Sequence, residues 1–409
     1  MDVKKLQLGF PGFPSTIQPM KRWIVLLAGI AVAVLMVGMA VYFPAAWLPT
    51  NSDFSALYNT DLALVHRVPI YDLAAVRTLV QPLSGIPDAS FFLARFPYPP
   101  WYALSTFYLG LLPADSAATL WFEMNMILLL LSAWLLTDGW PGRVRLFVIP
   151  AALLFLPTLG VLVVGQYDFP LLLGVSLSLY GLKKQNTGML ISGAILLTFK
   201  PHIGAVFFLF LLIWLFVKEG EFGRRSLKSI AAILLGLILL GFLADPHWIS
   251  GYAGLLLGYQ NEGNVTSCSE CISLPMLISR GLFDGSLRTA VMIAATLLIL
   301  LAVFYYWQRS LLLKSAVTFM SAGLFMTLLV SPYFYNYDFI LLLIPFAVLF
   351  ERTASWLIKT LLVVCYFIPY LALGLYGRNG NIALIGITFI LFITFYLQIK
   401  PIDVQAQPA

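Results

Sequence analysis

Polar side chains, most of them ionisable, interrupt several apolar stretches of this sequence. They are Asp53 after the first long apolar block, Gln166 and Asp168 within residues 165–170, Lys200 and His202, and Asp338 within residues 331–338. A carboxylate is ionised at neutral pH and can take a proton from a hydroxyl group as a general base. A lysine can stabilise an anionic group. These residue types therefore suit acid–base chemistry on an anionic substrate.

Three of these residues also have a purely structural explanation. Asp53 could cap a helix that starts at Phe54, because aspartate is a favoured N-cap residue. Lys200 could snorkel towards the membrane surface, and His202 could be a satisfied structural histidine. The other polar residues are harder to explain in this way. Glycine and proline at 165–170 account for a helix break but not for Gln166 or Asp168.

The composition decides what kind of chain carries these residues. The sequence has 409 residues, of which 61% are hydrophobic and only 10% charged, and its mean hydropathy is +0.92. Soluble domains carry about 25% charged residues. Apolar blocks near the roughly 20 residues needed for a crossing recur along the whole chain. The sequence therefore predicts an all-α, polytopic transmembrane bundle, with residues 1–409 forming a single integral membrane domain.

The basic residues predict how this bundle is oriented. Lysine and arginine lie mainly in alternate short loops, as the positive-inside rule expects, so the charge of +6 does not indicate a nucleic-acid partner. Both tails, 1–22 and 399–409, are predicted to be cytoplasmic, and the first apolar block is predicted to be an uncleaved signal anchor. The long loops 48–98 and 245–287 are predicted to be external.

The number of crossings follows from about thirteen apolar segments. Two cytoplasmic termini require an even number, and segment 100–112 is short and flanked by prolines, so we expect it to be re-entrant or interfacial. About twelve crossings result. In loop 48–98, apolar residues recur at helical spacing after Phe54, and a second helical stretch is expected at 71–80, so this loop should carry helices at the membrane surface. In this topology all the polar interruptions lie at the extracytoplasmic rim.

No cofactor is expected, and no metal-ligand cluster is visible in the sequence. Cys268 and Cys271 form a CxxC motif in a polar loop without two further ligands nearby, which a structural zinc site would need. A local disulfide and two free thiols both remain open. Cys365 lies in an apolar block and is expected to be a buried core residue.

The order of the motifs resembles glycosyltransferase family 87, whose members are membrane enzymes of the GT-C type. The resemblance spans most of residues 50–340. It is carried by Asp53-Phe54, Tyr58, Pro69-Ile70-Tyr71-Asp72, Phe96-Pro97-Tyr98-Pro99-Pro100, Gly165-Gln166, Lys200-Pro201 and Ser331-Pro332. The sequence departs from the family pattern at Arg67, where a small residue, often glycine, is expected.

This resemblance implies transfer of a hexose, with mannose expected, from a polyprenyl-phosphate sugar to a hydroxyl group of a lipid or glycan acceptor. The mechanism would invert the anomeric carbon, and Asp53 matches the family's general base. Lys200 is the first candidate for stabilising the departing lipid phosphate. The full set of expected substrate-binding residues is Lys200, His202, Gln166, Asp168, Tyr98, Arg67, Arg95 and Asp338.

Two other functions fit a polytopic protein. A transporter or a lipid or sugar flippase would explain the many crossings and the broken helices. A membrane scaffold would need none of the polar residues at the rim. Against transport, the polar residues cluster at one rim rather than at the midplane, and two long loops lie on one side.

Overall fold

The computed structural model describes residues 52–84, 95–261, 271–275, 293–298, 315–331 and 334–405, together with scattered single positions. The predicted cytoplasmic tail 1–22, most of the first apolar block, Cys268 and residues 262–270 lie outside the described residues. Within the described parts of the chain every element of regular secondary structure is helical. The prediction of an all-α fold is therefore confirmed.

Fifteen α-helices and three 3₁₀ helices are bounded within the described residues. The α-helices are α1 Phe54–Val65, α2 Leu73–Ser84, α3 Pro100–Thr106, α4 Ala114–Leu136, α5 Gly142–Leu153, α6 Leu156–Val164, α7 Asp168–Lys184, α8 Thr187–Leu197, α9 Pro201–Lys218, α10 Gly220–Ala244, α11 Trp248–Asn261, α12 Ala316–Val330, α13 Leu343–Arg352, α14 Trp356–Tyr376 and α15 Ala383–Gln405. The 3₁₀ helices are Phe107–Leu111, Tyr337–Leu342 and Gly377–Ile382.

Several of these helices can cross a bilayer, so the chain is a multi-pass membrane protein. By length and composition, and among the described residues, the candidates are Ala114–Leu136, Pro201–Lys218, Gly220–Ala244, Trp356–Tyr376 and Asn379–Gln398. A sixth arises if Phe147–Leu153 and Leu156–Val164, which are bent by 56°, form one span.

The expected number of about twelve crossings is not confirmed. The reason is that several apolar blocks fold as helices shorter than the roughly 20 residues of a span. The block at 100–112 forms the 7-residue α3 followed by a 5-residue 3₁₀ helix. The block at 187–199 forms the 11-residue α8, and the block at 336–350 divides into a 3₁₀ helix and the 10-residue α13.

Three of these interruptions matter for the site, and we call them the first, second and third breaks. The first is residues 165–167 between α6 and α7, and the second is residues 198–200 between α8 and α9. The third comprises Ser331, which follows α12, and residues 334–336. Gly165 ends α6 with a φ of 67°, and a Cβ atom there would lie 2.8 Å from the Cβ atom of Phe54. Only glycine suits that left-handed, crowded position.

Helix α7 runs from the first break to a pair of basic residues at its other end. It is a core helix, most of whose side chains are buried, and its 17 residues correspond to a length of about 26 Å. Asp168 begins it, while Lys183 and Lys184 at its other end pair with Asp138 at 3.2 and 3.0 Å. The first break and the basic end therefore lie about 26 Å apart, at opposite ends of α7. That the breaks face outside remains a prediction.

The helices expected in loop 48–98 are present as α1 and α2. Helix α1 buries Phe54, Leu57 and Leu62 and packs closely against the 3₁₀ helix 107–111. A Cβ atom on Gly110 would lie 2.5 Å from the carbonyl carbon of Asp61, so this close approach requires glycine. This contact fixes the position of α1, the helix that directly follows Asp53.

Candidate active site

The backbone of Asp53 is fixed to the first break. Its N–H group donates to the carbonyl oxygen of Val164 at 2.9 Å, and the hydroxyl of Tyr167 donates to the Asp53 carbonyl oxygen. Both contacts involve main-chain atoms of Asp53. The carboxylate is therefore left to other partners.

The Asp53 side chain does not cap α1, so the capping explanation is wrong. Asp53 occupies the N-cap position but makes no side-chain capping bond. Its Oδ2 atom instead accepts a hydrogen bond from Nε2 of Gln166 at 2.5 Å. The same Nε2 donates to the Tyr337 hydroxyl at 2.9 Å, and the Gln166 Oε1 atom accepts from the Tyr167 N–H at 3.0 Å. These three bonds orient the Gln166 amide towards Asp53.

The surroundings of Asp53 favour proton acceptance. Burial raises the pKa of the Asp53 carboxyl above its ordinary value, while the hydrogen bond from Gln166 and the charge of Lys200 act in the opposite direction. A general base works best when its pKa approaches the working pH. The side chain is half-buried, so it combines a raised pKa with access for a substrate.

Lys200 lies at the centre of an ion triad that joins the second break to the helices that follow the first and third breaks. Its Nζ atom is 2.8 Å from Oδ1 of Asp168 and 2.5 Å from Oδ1 of Asp338. The side chain of Lys200 is 2% exposed and those of both aspartates are 0% exposed. The snorkelling explanation is therefore wrong, because a snorkelling ammonium would reach water. The contacts also leave the expected direct contact between Lys200 and a donor phosphate without support.

The two carboxylates of the triad differ in the hydrogen bonds that their second oxygen atoms make. Oδ2 of Asp338 accepts from the Tyr335 N–H at 2.6 Å, whereas the buried Oδ2 of Asp168 has no hydrogen-bond partner. A buried polar atom without a partner is costly, so the Asp168 carboxylate depends strongly on its contact with Lys200.

Aromatic rings line the site beside Asp53. The Tyr98 ring is buried and lies edge-on to Tyr167 with centroids 4.9 Å apart, and it lies 6.3 Å from the His202 ring. His202 is tied to the third break, because its carbonyl oxygen accepts from the Ser331 hydroxyl at 2.6 Å. The structure thus brings Tyr98, His202 and Tyr167 together with the first break.

The two arginines expected at the site are placed differently. Arg67 is exposed and follows the far end of α1, about 18 Å along that helix from Asp53, so the structure does not bring it to the site. Its φ of 56° explains why a small residue is expected there, since this conformation favours glycine. Arg95 is half-buried and precedes Phe96, whose ring packs against Tyr98 at 5.1 Å.

Two tyrosines belong to the site although sequence reasoning did not select them. Tyr167 anchors the Asp53 backbone, and Tyr337 accepts from Gln166 and lies with its ring centroid 5.2 Å from the Lys200 Nζ atom. In the sequence, both tyrosines stand in polar interruptions of apolar blocks. That position does not identify them as site residues, because tyrosine is also common at membrane interfaces.

A family model places this arrangement among known proteins. The model of glycosyltransferase family 87 matches residues 96–332, which is more than half of the chain. The chain belongs to glycosyltransferase family 87. Membership makes it a membrane glycosyltransferase and decides against the transporter, flippase and scaffold alternatives. No curated protein and no solved structure matches the chain.

The family 87 match covers only part of the site. Gln166, Asp168, Lys200, His202 and Tyr98 lie within it, whereas Asp53 and Asp338 lie outside. The position of Asp53 and Asp338 in the site therefore rests on their contacts with Gln166 and Lys200. Within the described residues, no group of three or more His, Cys, Asp or Glu side chains is arranged to hold a metal ion.

Proposed function

We propose that this family 87 enzyme transfers a hexose, with mannose as the first sugar to test, from a polyprenyl-phosphate donor to a hydroxyl group of a lipid or glycan acceptor. The reaction takes place at the extracytoplasmic face, and Asp53 is the general base. The predicted orientation supports this face, because the positively charged loops lie at the other end of α7.

One observation carries the assignment of Asp53. Of the three carboxylates that meet at the breaks, Asp168 and Asp338 are fully buried and paired with Lys200. Asp53 is half-buried, and its carboxylate is held by the neutral amide of Gln166. An acceptor hydroxyl can approach Asp53 without breaking an ion pair.

The reaction balances with these groups alone. The acceptor oxygen attacks the anomeric carbon from the face opposite the phosphate, and its proton passes to the Asp53 carboxylate. The bond between the anomeric carbon and the phosphate oxygen breaks, and the lipid phosphate leaves with the electron pair. Attack from the opposite face inverts the configuration and involves no covalent sugar intermediate.

The departing phosphate needs a positively charged partner, and the contacts of Lys200 with two carboxylates favour another residue for this role. Lys200 is engaged by two carboxylates and acts in this proposal as a positioning residue that joins the breaks. Arg67 is remote. Arg95 is the cation that we propose for the lipid phosphate, because it directly precedes Phe96 in the chain, and the Phe96 ring packs against Tyr98. The His202 and Tyr98 rings lie 6.3 Å apart, and we propose that they contact the sugar or phosphate.

Asp53→Asn tests the base directly. Asparagine keeps an oxygen that can accept from Gln166, and the two main-chain bonds of Asp53 do not involve its side chain, so folding should be unchanged. An amide cannot take the proton, so transfer from a labelled polyprenyl-phosphate hexose should fall by roughly 10²-fold or more. The configuration of the product, determined by NMR, tests inversion.

Asp72→Asn is the matched control. Asp72 lies in the same predicted loop, is exposed and accepts from the Ala75 N–H at 3.0 Å, which is a capping contact that asparagine also makes. This variant should transfer sugar at close to the wild-type rate. If Asp53→Asn does so as well, the base lies elsewhere, and Asp168 and Asp338 become the next residues to test.

A further inference from the structure

An apolar cavity of about 460 Å³ opens on the side of the bundle, and its lining residues are distinct from those of the breaks. Its walls come from α4, α5, α13 and α14, with Leu172 of α7 behind them. The volume falls in the range of roughly 300–1,000 Å³ that is typical of ligand pockets. Its lining is aliphatic and aromatic except for a few residues, of which Lys359 is the charged one among the described side chains.

The walls define what can enter this cavity. Helices α4 and α14 are candidate membrane spans, and part of α5 belongs to the bent candidate pair, so the opening faces hydrocarbon. Cavities lined by apolar side chains do not retain water, because water needs polar partners. A hydrocarbon chain is therefore the occupant whose chemistry matches both the lining and the surroundings.

Lys359 gives this cavity a polar end. Its Nζ atom lies 5.3 Å from the ring centroid of Phe350, and that ring lies 5.9 Å from the ring of Trp140. Trp140 is close to the basic end of α7, because the Lys183 Nζ atom donates to the carbonyl oxygen of Asp138 at 2.9 Å. The polar end of the cavity therefore lies at the face opposite Asp53.

The geometry points to a binding site for an anionic glycerophospholipid, with one hydrocarbon chain in the cavity and its phosphate against Lys359. The donor is a different lipid in this arrangement, since its phosphate must lie near Asp53 at the other face. A juxtamembrane lysine contributes about 1 kcal/mol to binding an anionic membrane surface, which corresponds to a preference of about fivefold over a zwitterionic lipid. This site is independent of the donor and acceptor proposed above.

Quenching of Trp140 by lipids with brominated chains tests the site. The full-length protein is reconstituted into phosphatidylcholine vesicles that contain increasing fractions of chain-brominated phosphatidylglycerol or chain-brominated phosphatidylcholine. The chain has 10 tryptophans, so the Trp140 signal is the difference between wild type and Trp140→Phe. That variant should fold, because the buried Nε1 atom of Trp140 has no hydrogen-bond partner to lose.

Brominated phosphatidylglycerol should half-quench the Trp140 signal at a mole fraction about fivefold lower than brominated phosphatidylcholine. Lys359→Gln should abolish this preference, and Lys218→Gln, which removes an exposed lysine outside the cavity, should preserve it. Ala347→Phe, which fills the cavity, should weaken quenching by both lipids. Equal quenching by the two lipids in the wild type, or a preference that survives Lys359→Gln, would overturn the proposal.

Discussion

Replacing Lys200 by methionine should destabilise the protein far more than the loss of an ordinary lysine. The ammonium lies 2.8 and 2.5 Å from two carboxylates, and none of the three side chains is more than 2% exposed. Removing one partner of a buried pair costs about 3–5 kcal/mol, because the remaining charge is left uncompensated. Lys200→Met leaves two carboxylates facing each other, so we expect a loss at the upper end of this range.

A control and a rescue separate this cost from catalysis. Lys183→Met breaks a surface pair in which Lys183 is 49% and Asp138 29% exposed, and it should cost no more than about 1 kcal/mol. The triple variant Lys200→Met, Asp168→Asn, Asp338→Asn removes every charge of the triad. Removing every charge avoids the cost of an uncompensated buried charge, so the triple variant should unfold at a higher temperature than Lys200→Met.

The kinetics of the stable triple variant decide what Lys200 does. If the triad only joins the breaks, the KM for the lipid-phosphate donor should return to within a few-fold of wild type. If Lys200 holds the donor phosphate, the triple variant should be stable but keep a high donor KM. Thermal unfolding in detergent and sugar transfer are measured on the same preparations. A Lys200→Met protein as stable as Lys183→Met would refute the ion-triad reasoning.

Two further predictions concern the base and the orientation. Burial raises the pKa of Asp53 and the Gln166 hydrogen bond lowers it, so Gln166→Leu should raise the pKa further. More of the base is then protonated at a given pH, and the acidic limb of kcat/KM should move to higher pH; a limb that stays in place would argue against Asp53. A cysteine introduced at Phe222 should be labelled from the cytoplasmic side and one at His66 from outside, and labelling of position 222 from outside would reverse the proposed topology.

The local features of the fold could be predicted from the sequence because they depend on local chemistry. The apolar stripe after Phe54 predicts α1. Gly165 marks the end of α6 at the first break, and Pro201 marks the start of α9 after the second break. The number of crossings could not be predicted in the same way. Hydropathy records that a block such as 336–350 is apolar, but it does not record that the block is divided into a 3₁₀ helix and α13 and buried against other helices.

The residues of the site were largely predictable, but their pairing was not. Asp168, Lys200 and Asp338 each stood out as a charge in an apolar context. Lys200 lies 32 positions from Asp168 and 138 from Asp338, and no local pattern encodes contacts over such separations. The sequence could therefore suggest a free lysine for a phosphate, while the fold gives that lysine two carboxylate partners.

The breaks themselves explain why structural and catalytic residues are mixed in this site. Non-helical backbone at membrane depth is tolerated only where other groups satisfy it. The freed carbonyl oxygen of Gly165 accepts from the Trp121 indole at 3.0 Å, and the Ser331 hydroxyl at the third break donates to the carbonyl oxygen of His202 in α9 at 2.6 Å. Most polar side chains at the breaks therefore help to hold the fold, and their replacement will lower activity through stability. The Asp53 carboxylate is different, because it accepts a hydrogen bond from the neutral amide of Gln166, and an asparagine oxygen can accept the same bond. A loss of activity at Asp53 with stability retained can therefore be assigned to chemistry.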